Sequence, residues 1–432
     1  MSVVIVTGAQ RGDEGKGRIV DHLAKQKDII ARFNGGPNAG HTVVTQDEKV
    51  LRLHQIPSGI AYPDKLNIIG NGALLDPIRL LEEINDLELA GISVTPKVLA
   101  ISDMAHLILP HHISLDEVRE AGRDGQGSTK RGIAFAARDK YERIGARTEL
   151  IIDDPAELTR KVITGLELAN QARATVGLPT HNSKAEALAW LKTTSRLSPY
   201  ITDTVSLLHS QIQKGKAVLA EGAQAFDLDI EHGMYPYVTS SHTTTGGALN
   251  GLGLNVKSIK DVIGVVKLTK SHVGGGPFVT EITNNPKLTD QIRGPKGKND
   301  SEYGASTGRA RRIGHLDLPE IRQAILVNGI TKIALTKLDC AERYGTSMLI
   351  ATSYKYNGKV VKKAPSSARR LEKCEPQYTQ MPIWKGDISN IKTFNDLPKE
   401  AKNLIRYLEK QLSCPIAMIG VGPHRDQLII RR

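Results

Sequence analysis

The chain has 432 residues, of which 24% are charged and 40% apolar, proportions that exclude a disordered or fibrous protein. It starts with a strand-like run rather than a basic and then apolar leader, and it lacks any stretch of roughly 18 apolar residues, so a cytoplasmic protein without a membrane partner is expected. The net charge of +12 is spread along the chain and aromatics make up only 4%, which argues against a stacking platform for nucleic acid and for a basic cleft that takes phosphates and carboxylates.

The first predicted element is a buried strand near 3–7, followed by the turn Gly8-Ala-Gln-Arg-Gly-Asp-Glu-Gly-Lys-Gly-Arg18 and a helix near 15–26. A glycine-rich strand-to-helix turn offers backbone N–H groups and the positive helix end to an anion, and Lys16 adds what reads as a mobile charge. It is not a Walker A loop, because Asp13 stands where that pattern has glycine. A carboxylate in a phosphate cradle is expected to bind a metal or take a proton.

A second strand near 28–33 leads into Asn34-Gly-Gly-Pro-Asn-Ala-Gly-His-Thr42, where glycines admit a ligand and His41 brings a group that ordinarily titrates near neutrality. With Asp13, His41 makes a plausible base and acid around bound phosphate. A strand near 67–70, a helix near 76–90 and a strand at 98–101 continue an α/β alternation with a mostly parallel sheet. Residues 155–215 read as a helical insertion. A strand at 217–220 ends in Glu221-Gly222-Ala223-Gln224, and Val238-Thr239-Ser240-Ser241 follows; both supply polar groups suited to a purine edge. After a strand at 262–267, Tyr303 to Arg312 combines small hydroxyl residues with arginines, the fork that fits carboxylate and phosphate. A strand at 333–336 ends in Thr336-Lys337-Leu338-Asp339, which has the look of the Asn-Lys-x-Asp guanine reader of GTPases. Asn357-Gly358 signals a hairpin, placing a small antiparallel appendage at about 345–395. A last parallel strand is expected at 416–419. Cys340, Cys374 and Cys414 are widely spaced and odd in number, so neither a disulfide framework nor a zinc cluster is indicated. One continuous domain over 1–432 is expected, with strand-end loops converging on a crevice.

Taken together, the Gly12–Gly17 turn, Asn38–Thr42, Glu221–Gln224, His232–Ser241, Thr307-Gly308-Arg309 and Thr336–Asp339 occur in the order and spacing of adenylosuccinate synthetases, which the chain resembles over essentially its full length. The resemblance implies a P-loop-NTPase-like α/β fold and GTP-dependent joining of L-aspartate to IMP, with Mg²⁺ held by Asp13 and Gly40. It implies catalytic roles for Asp13, His41, Lys16 and Gln224. The IMP site would comprise Asp13, Glu14, Gly15, Lys16, Asn38, Ala39, Gly40, His41, Thr129, Gln224, Thr239 and Arg309, completed by Arg143 from the second subunit of a homodimer. Aspartate would meet Ala305, Ser306, Thr307, Gly308, Arg309 and Arg311. GTP would meet Gly12 through Arg18, Gly40, His41, Thr42, Arg311, Lys337, Leu338, Asp339, Gly420, Val421 and Gly422.

Departures from the family pattern are Arg11 for Trp, Arg18 for Lys, Lys130 for Gly, Ala134-Phe135 for Gly-Pro, Gly420 for a frequent Ser, and Ala310 within an arginine run. Those near Thr129 touch the IMP side, which leaves dGMP, the substrate of a related branch, as an alternative. A GTP-binding regulatory protein and a nucleic-acid-binding module are the alternatives from other classes.

Overall fold

The computed structural model describes residues 2–44, 50–122, 129–298, 301–304 and 308–431, without the side chains of Thr42 and Val44. Its centre is a ten-stranded sheet. From one edge to the other the strands are Leu428–Ile430, Ile416–Gly420, Lys332–Thr336, Ile259–Lys267, Val3–Gly8 (β1), Val218–Glu221, Ile29–Arg32 (β2), Leu66–Ile69, Leu99–Ser102 and Ile201–Thr202. All neighbours pair in parallel except the Leu428–Ile430 edge strand.

The six residues of β1 are all buried, as expected for a strand covered on both faces. Val3 and Ile5 join one core with Ala31, Phe33 and Leu252. Val4 and Val6 join the other with Ile19 and Val20 of helix α1, Lys16–Ala24. β1 therefore lies at mid-sheet, clamped from both sides, and the turn that follows it inherits that rigidity. Gln10 strengthens the clamp: its amide accepts from Lys267 N and donates to Lys267 O, tying the turn to the neighbouring strand at 2.9 and 3.1 Å.

The 155–215 stretch is mostly helical, with helices at Pro155–Thr175, Ser183–Thr194 and Thr204–Gln213. The helical body already begins at Pro110–Ala121, which packs on Pro155–Thr175, and Ile201–Thr202 breaks the 155–215 stretch to become an edge strand. The short strand hides because two residues carry no readable alternation. Beyond the sheet's other end, Ser347–Tyr356 pairs antiparallel with Lys359–Val361 and Glu375–Pro382. Asn357 and Gly358 both take positive φ, 48° and 76°, as a two-residue primed turn requires. Met348, Ile350 and Trp384 of this region lie in the same core as Val3 and Ile5, so the small sheet is welded to the large one. No helix among the described residues is long and apolar enough to cross a membrane.

Candidate active site

The crevice forms where parallel strands end, and the turn after β1 is its floor. Gly8 must lack a side chain, since a Cβ there would lie 2.6 Å from Glu14 Oε2 and 2.8 Å from Ala225 Cβ. Gly12, Asp13 and Gly15 then take positive φ of 94°, 58° and 84°. The Asp13 conformation is uncommon for a residue with a side chain. It leaves the carboxylate 37% exposed, with Arg311 Nε 2.9 Å from Oδ2. That contact has the distance of an ion pair without the alignment of a hydrogen bond, because Arg311 Nε finds no hydrogen-bond partner. A swappable cation thus sits on Asp13, an option beyond the metal or proton that the sequence suggests.

Lys16 is not the mobile charge expected. It is buried and its ammonium binds Glu14 Oε2 at 2.7 Å, while Glu14 Oε1 accepts from Gly12 N at 2.8 Å. Glu14 is fully buried and its carboxylate shapes the turn from beneath instead of facing a ligand. Arg18, expected among the GTP contacts, lies beside Gly422 and within reach of the Asp339 charge. Its guanidinium donates to the Gly422 and Gln427 carbonyls, and so braces the 420–427 turn. Arg11 goes inward, where it pairs with Asp227 at 3.3 Å and Glu320 at 3.0 Å and lies over the Phe278 ring. The charge is thereby spent inside the protein and adds nothing to the crevice.

His41 opens the strand after the second glycine segment and is buried. Its Nδ1 contacts Glu221 Oε1, and Arg32 Nη2 lies 2.9 Å from the same nitrogen. Glu221 is the last residue of its strand and Arg32 the last of β2, so adjacent parallel strands deliver this pair in register. Glu221 also takes Arg32 Nη2 at 2.6 Å, Ser58 N at 2.8 Å and Ser58 Oγ at 3.0 Å. Burial and then the Arg32 charge push the His41 pKa down, more than Glu221 lifts it. The group that the sequence expects to titrate near neutrality is thus shifted to lower pH by its burial and by Arg32. Burial alone would raise the Glu221 pKa; Arg32 and His41 outweigh it and hold the carboxyl below its usual range. Neither Arg32 nor Glu221 stands out as an orienter in sequence, because only the sheet order brings residues 189 positions apart together. Glu221 therefore does not serve a purine edge.

Gln224 adopts a positive φ of 59°, donates to Asn38 Oδ1 at 3.3 Å, and leaves its buried Oε1 without a partner. An unsatisfied buried acceptor in a crevice invites a ligand donor. Asn34 ties the two loops together by a reciprocal pair with Ala223, 3.1 and 2.8 Å. Ala39 is buried, and Gly40 exposed beside it. Thr239 is partly exposed, and its N donates to Leu228 O at 2.8 Å. Thr129 and Arg309 are exposed, and Gly308 takes a positive φ of 62°. Arg143, also exposed, ends helix Ile133–Glu142 in a left-handed conformation. Ala305, Ser306 and Thr307 lie outside the described residues, as does the Thr42 side chain.

The 336–339 turn lies across the crevice. Thr336 Oγ1 donates to Glu14 O at 2.6 Å, which joins it to the phosphate turn. Lys337 takes a positive φ of 57°, Leu338 is fully buried, and burial raises the Asp339 pKa from its ordinary value. Gly420 ends the adjacent strand, and Val421 N binds Gln427 O at 2.9 Å.

A parallel sheet whose central strand runs into an anion-binding turn, with an exposed carboxylate, an oriented imidazole and a Lys-x-Asp turn above it, defines an α/β nucleotide-handling protein. Comparison with known proteins narrows the class. The family model for adenylosuccinate synthetase matches residues 5–429. The chain is 47% identical over 430 residues to an adenylosuccinate synthetase of Caldicellulosiruptor bescii, covering 99% of this chain and 98% of that one. Its fold is similar to that of the fully ligated adenylosuccinate synthetase from Plasmodium falciparum, with a TM-score of 0.89, 35% identity and full coverage of both chains. A cyanophage S-2L succinoaminodeoxyadenylate synthetase, solved with dGMP and dATP, shares the fold at TM-score 0.61 and 19% identity, covering 99% of this chain and 95% of that one. The chain belongs to the adenylosuccinate synthetase family, and it is an enzyme.

Proposed function

We propose that the enzyme joins L-aspartate to IMP with GTP as co-substrate, releasing adenylosuccinate, GDP and phosphate, in the cytoplasm and as a homodimer. The observation that carries the reading is Asp13: family membership over the whole chain comes with a carboxylate that is part-exposed in the anion-binding turn and held by one exchangeable cation. Asp13 takes the N1 proton of IMP, which makes O6 nucleophilic toward the γ-phosphate. His41, oriented at Nδ1 by Glu221, acts as the imidazolium once the phosphates are bound, its Nε2–H donating toward the phosphate leaving side as negative charge grows on GDP. Gln224 supplies an acceptor for the purine, and Lys16, positioned by Glu14, stabilises the transferring phosphoryl group. The aspartate amine then displaces phosphate from C6. Arg311, released from Asp13, takes an aspartate carboxylate together with Arg309 and the 305–308 segment. Lys337, Leu338 and Asp339 with Gly420, Val421 and Gly422 hold guanine.

The hard oxygen donors Asp13 and the Gly40 carbonyl suit Mg²⁺, which takes one or two protein oxygens alongside phosphates. Bound there, the ion would neutralise phosphate charge; it requires that Arg311 give up Asp13. Arg143 completes the partner's IMP site, for which its exposed helix-end position leaves it available. The substitutions Lys130 and Ala134-Phe135 keep dGMP as the comparison substrate, but a 2-amino group beside N1 would crowd Asp13. The test is incubation with GTP, Mg²⁺ and aspartate plus either IMP or dGMP. Adduct from IMP alone is expected; adduct from dGMP alone overturns the substrate, and none from either overturns the reaction.

A further inference from the structure

Glu302 closes the base of the hairpin that leads to Arg309. Its carbonyl accepts from Arg311 N at 3.0 Å, and Tyr303 bridges Ala310 just beyond. Its side chain is buried and gathers donors from three other segments. Lys267, at the end of the strand beside β1, reaches Oε2 at 3.0 Å; Ser271 Oγ donates to the same oxygen at 2.6 Å; Arg311 Nη1 lies 2.7 Å from it. Lys337, from the turn that carries Asp339, contacts Oε1. Lys267, Arg311 and Lys337 thus share the Glu302 carboxylate, while Arg311 also reaches Asp13 and the Lys337 charge is felt by Asp339. The node lies in a largely dry setting, where charge–charge interactions are strong.

We propose that Glu302 is a positioning residue which couples guanine occupancy to capture of the dicarboxylate substrate, by holding Lys337 and Arg311 on one carboxylate. The inference rests on the functional reading above. When guanine occupies the 336–339 turn, Lys337 is fixed against the base and its hold on Glu302 changes. The same carboxylate sets where Arg311 points, toward Asp13 or toward a substrate carboxylate. Burial alone would raise the Glu302 pKa, but Lys267, Lys337 and Arg311 keep the group ionised, so the node stays intact through the working pH range.

Removing Glu302 alone would strand Lys267 in the interior, so the informative variant is Glu302→Gln with Lys267→Met, which removes one charge of each sign. The measurement is calorimetric titration of succinate, an aspartate lacking the amine, with IMP and Mg²⁺ present throughout, in the presence or absence of GDP. In the wild type GDP tightens succinate binding by about 5- to 100-fold, the usual range of coupling between sites. In the double variant the ratio falls to near one while GDP binding itself persists. An undiminished ratio overturns the proposal. A second arm needs no variant: pyrophosphate, which lacks guanine, must not reproduce the effect of GDP on the wild type, and equal tightening by both overturns the proposal too. If the wild type binds neither GDP nor succinate, the functional reading fails; if it binds both without coupling, only this inference does.

Discussion

Asp13 follows one strand of the sheet and Glu221 ends the strand beside it, and the fold treats them in opposite ways. Glu221 is wholly buried and its oxygens accept from Arg32, His41 and Ser58. Asp13 is 37% exposed, sits on strained backbone and is held by a single misaligned guanidinium. A carboxylate whose acceptor sites are filled in the dry interior cannot take a new partner without a large loss, so it fixes geometry. One held by an exchangeable cation at the crevice is ready for a proton or a metal. The difference explains how one pocket contains both a frame and a reactive group made from the same functional chemistry.

If that contrast is right, the two carboxylates fail differently when neutralised. Asp13→Asn removes the base while disturbing little packing. A fall in kcat of about 10²- to 10⁴-fold, and more where a metal ligand is lost, is expected with a melting temperature close to wild type. Near wild-type kcat would remove Asp13 from the chemistry.

Glu221→Gln leaves Arg32 buried without its counter-charge. Loss of roughly 3–5 kcal/mol of stability is expected, with kcat lowered by about 10²-fold as His41 loses its orientation. The pH dependence has a definite sign. Because the folded-state pKa of Glu221 lies below the ordinary value, its contribution is complete above the unfolded carboxylate pKa and is lost as pH falls through the folded one. Denaturant titrations of wild type and Glu221→Gln should therefore differ most near pH 7 and converge in strong acid. A constant gap from neutral to acid pH would contradict the assignment.

A third substitution tests the rim of the pocket, where side chains are free to reach outward. Arg143→Leu should raise the KM for IMP about 10- to 100-fold with little change for GTP, the worth of a charged hydrogen bond to phosphate. Mixing it with Asp13→Asn subunits should restore part of the activity if the site is shared between subunits. No recovery after proven subunit exchange would place Arg143 elsewhere.

The smallest effect concerns Asp339. Burial raises its pKa, and only the ionised form accepts from guanine N1 and N2, so the KM for GTP should climb as pH falls, from a higher pH than an ordinary exposed carboxylate would give. A few-fold rise near pH 5 is the expectation, and Asp339→Asn should flatten it. A GTP KM equal at pH 5 and 8 in the wild type would sink the idea.

The strands and the glycine turns were legible in the sequence because buried parallel strands are short apolar runs and because glycine marks positive φ. β1, its turn and α1 lie within about two residues of the expectation. Lys16 departs from the sequence expectation because the spacing of Lys16 and Glu14 does not tell which way a side chain faces; only the buried pair at 2.7 Å does. Glu221, Arg32 and Glu302 escaped for a topological reason. Glu221 and Arg32 meet only through sheet order, and Glu302 draws Lys267 and Lys337 from segments 35 residues away on either side, which no local pattern encodes. Arg11 and Arg18 were visible as departures, yet their destinations, a buried carboxylate pair and two carbonyls, depend on space left by distant residues.

The central claim is that Asp13 makes O6 of IMP a nucleophile toward GTP, with Glu221 acting only through His41. Carrying ¹⁸O at O6 of IMP and analysing the released phosphate by mass spectrometry tests it directly. The account predicts that the label passes into phosphate in step with adenylosuccinate formation, that Glu221→Gln slows this transfer without uncoupling it, and that Asp13→Asn slows it by about 10²- to 10⁴-fold or more. Adenylosuccinate formed with unlabelled phosphate, or label transfer by Asp13→Asn at the wild-type rate, would contradict it.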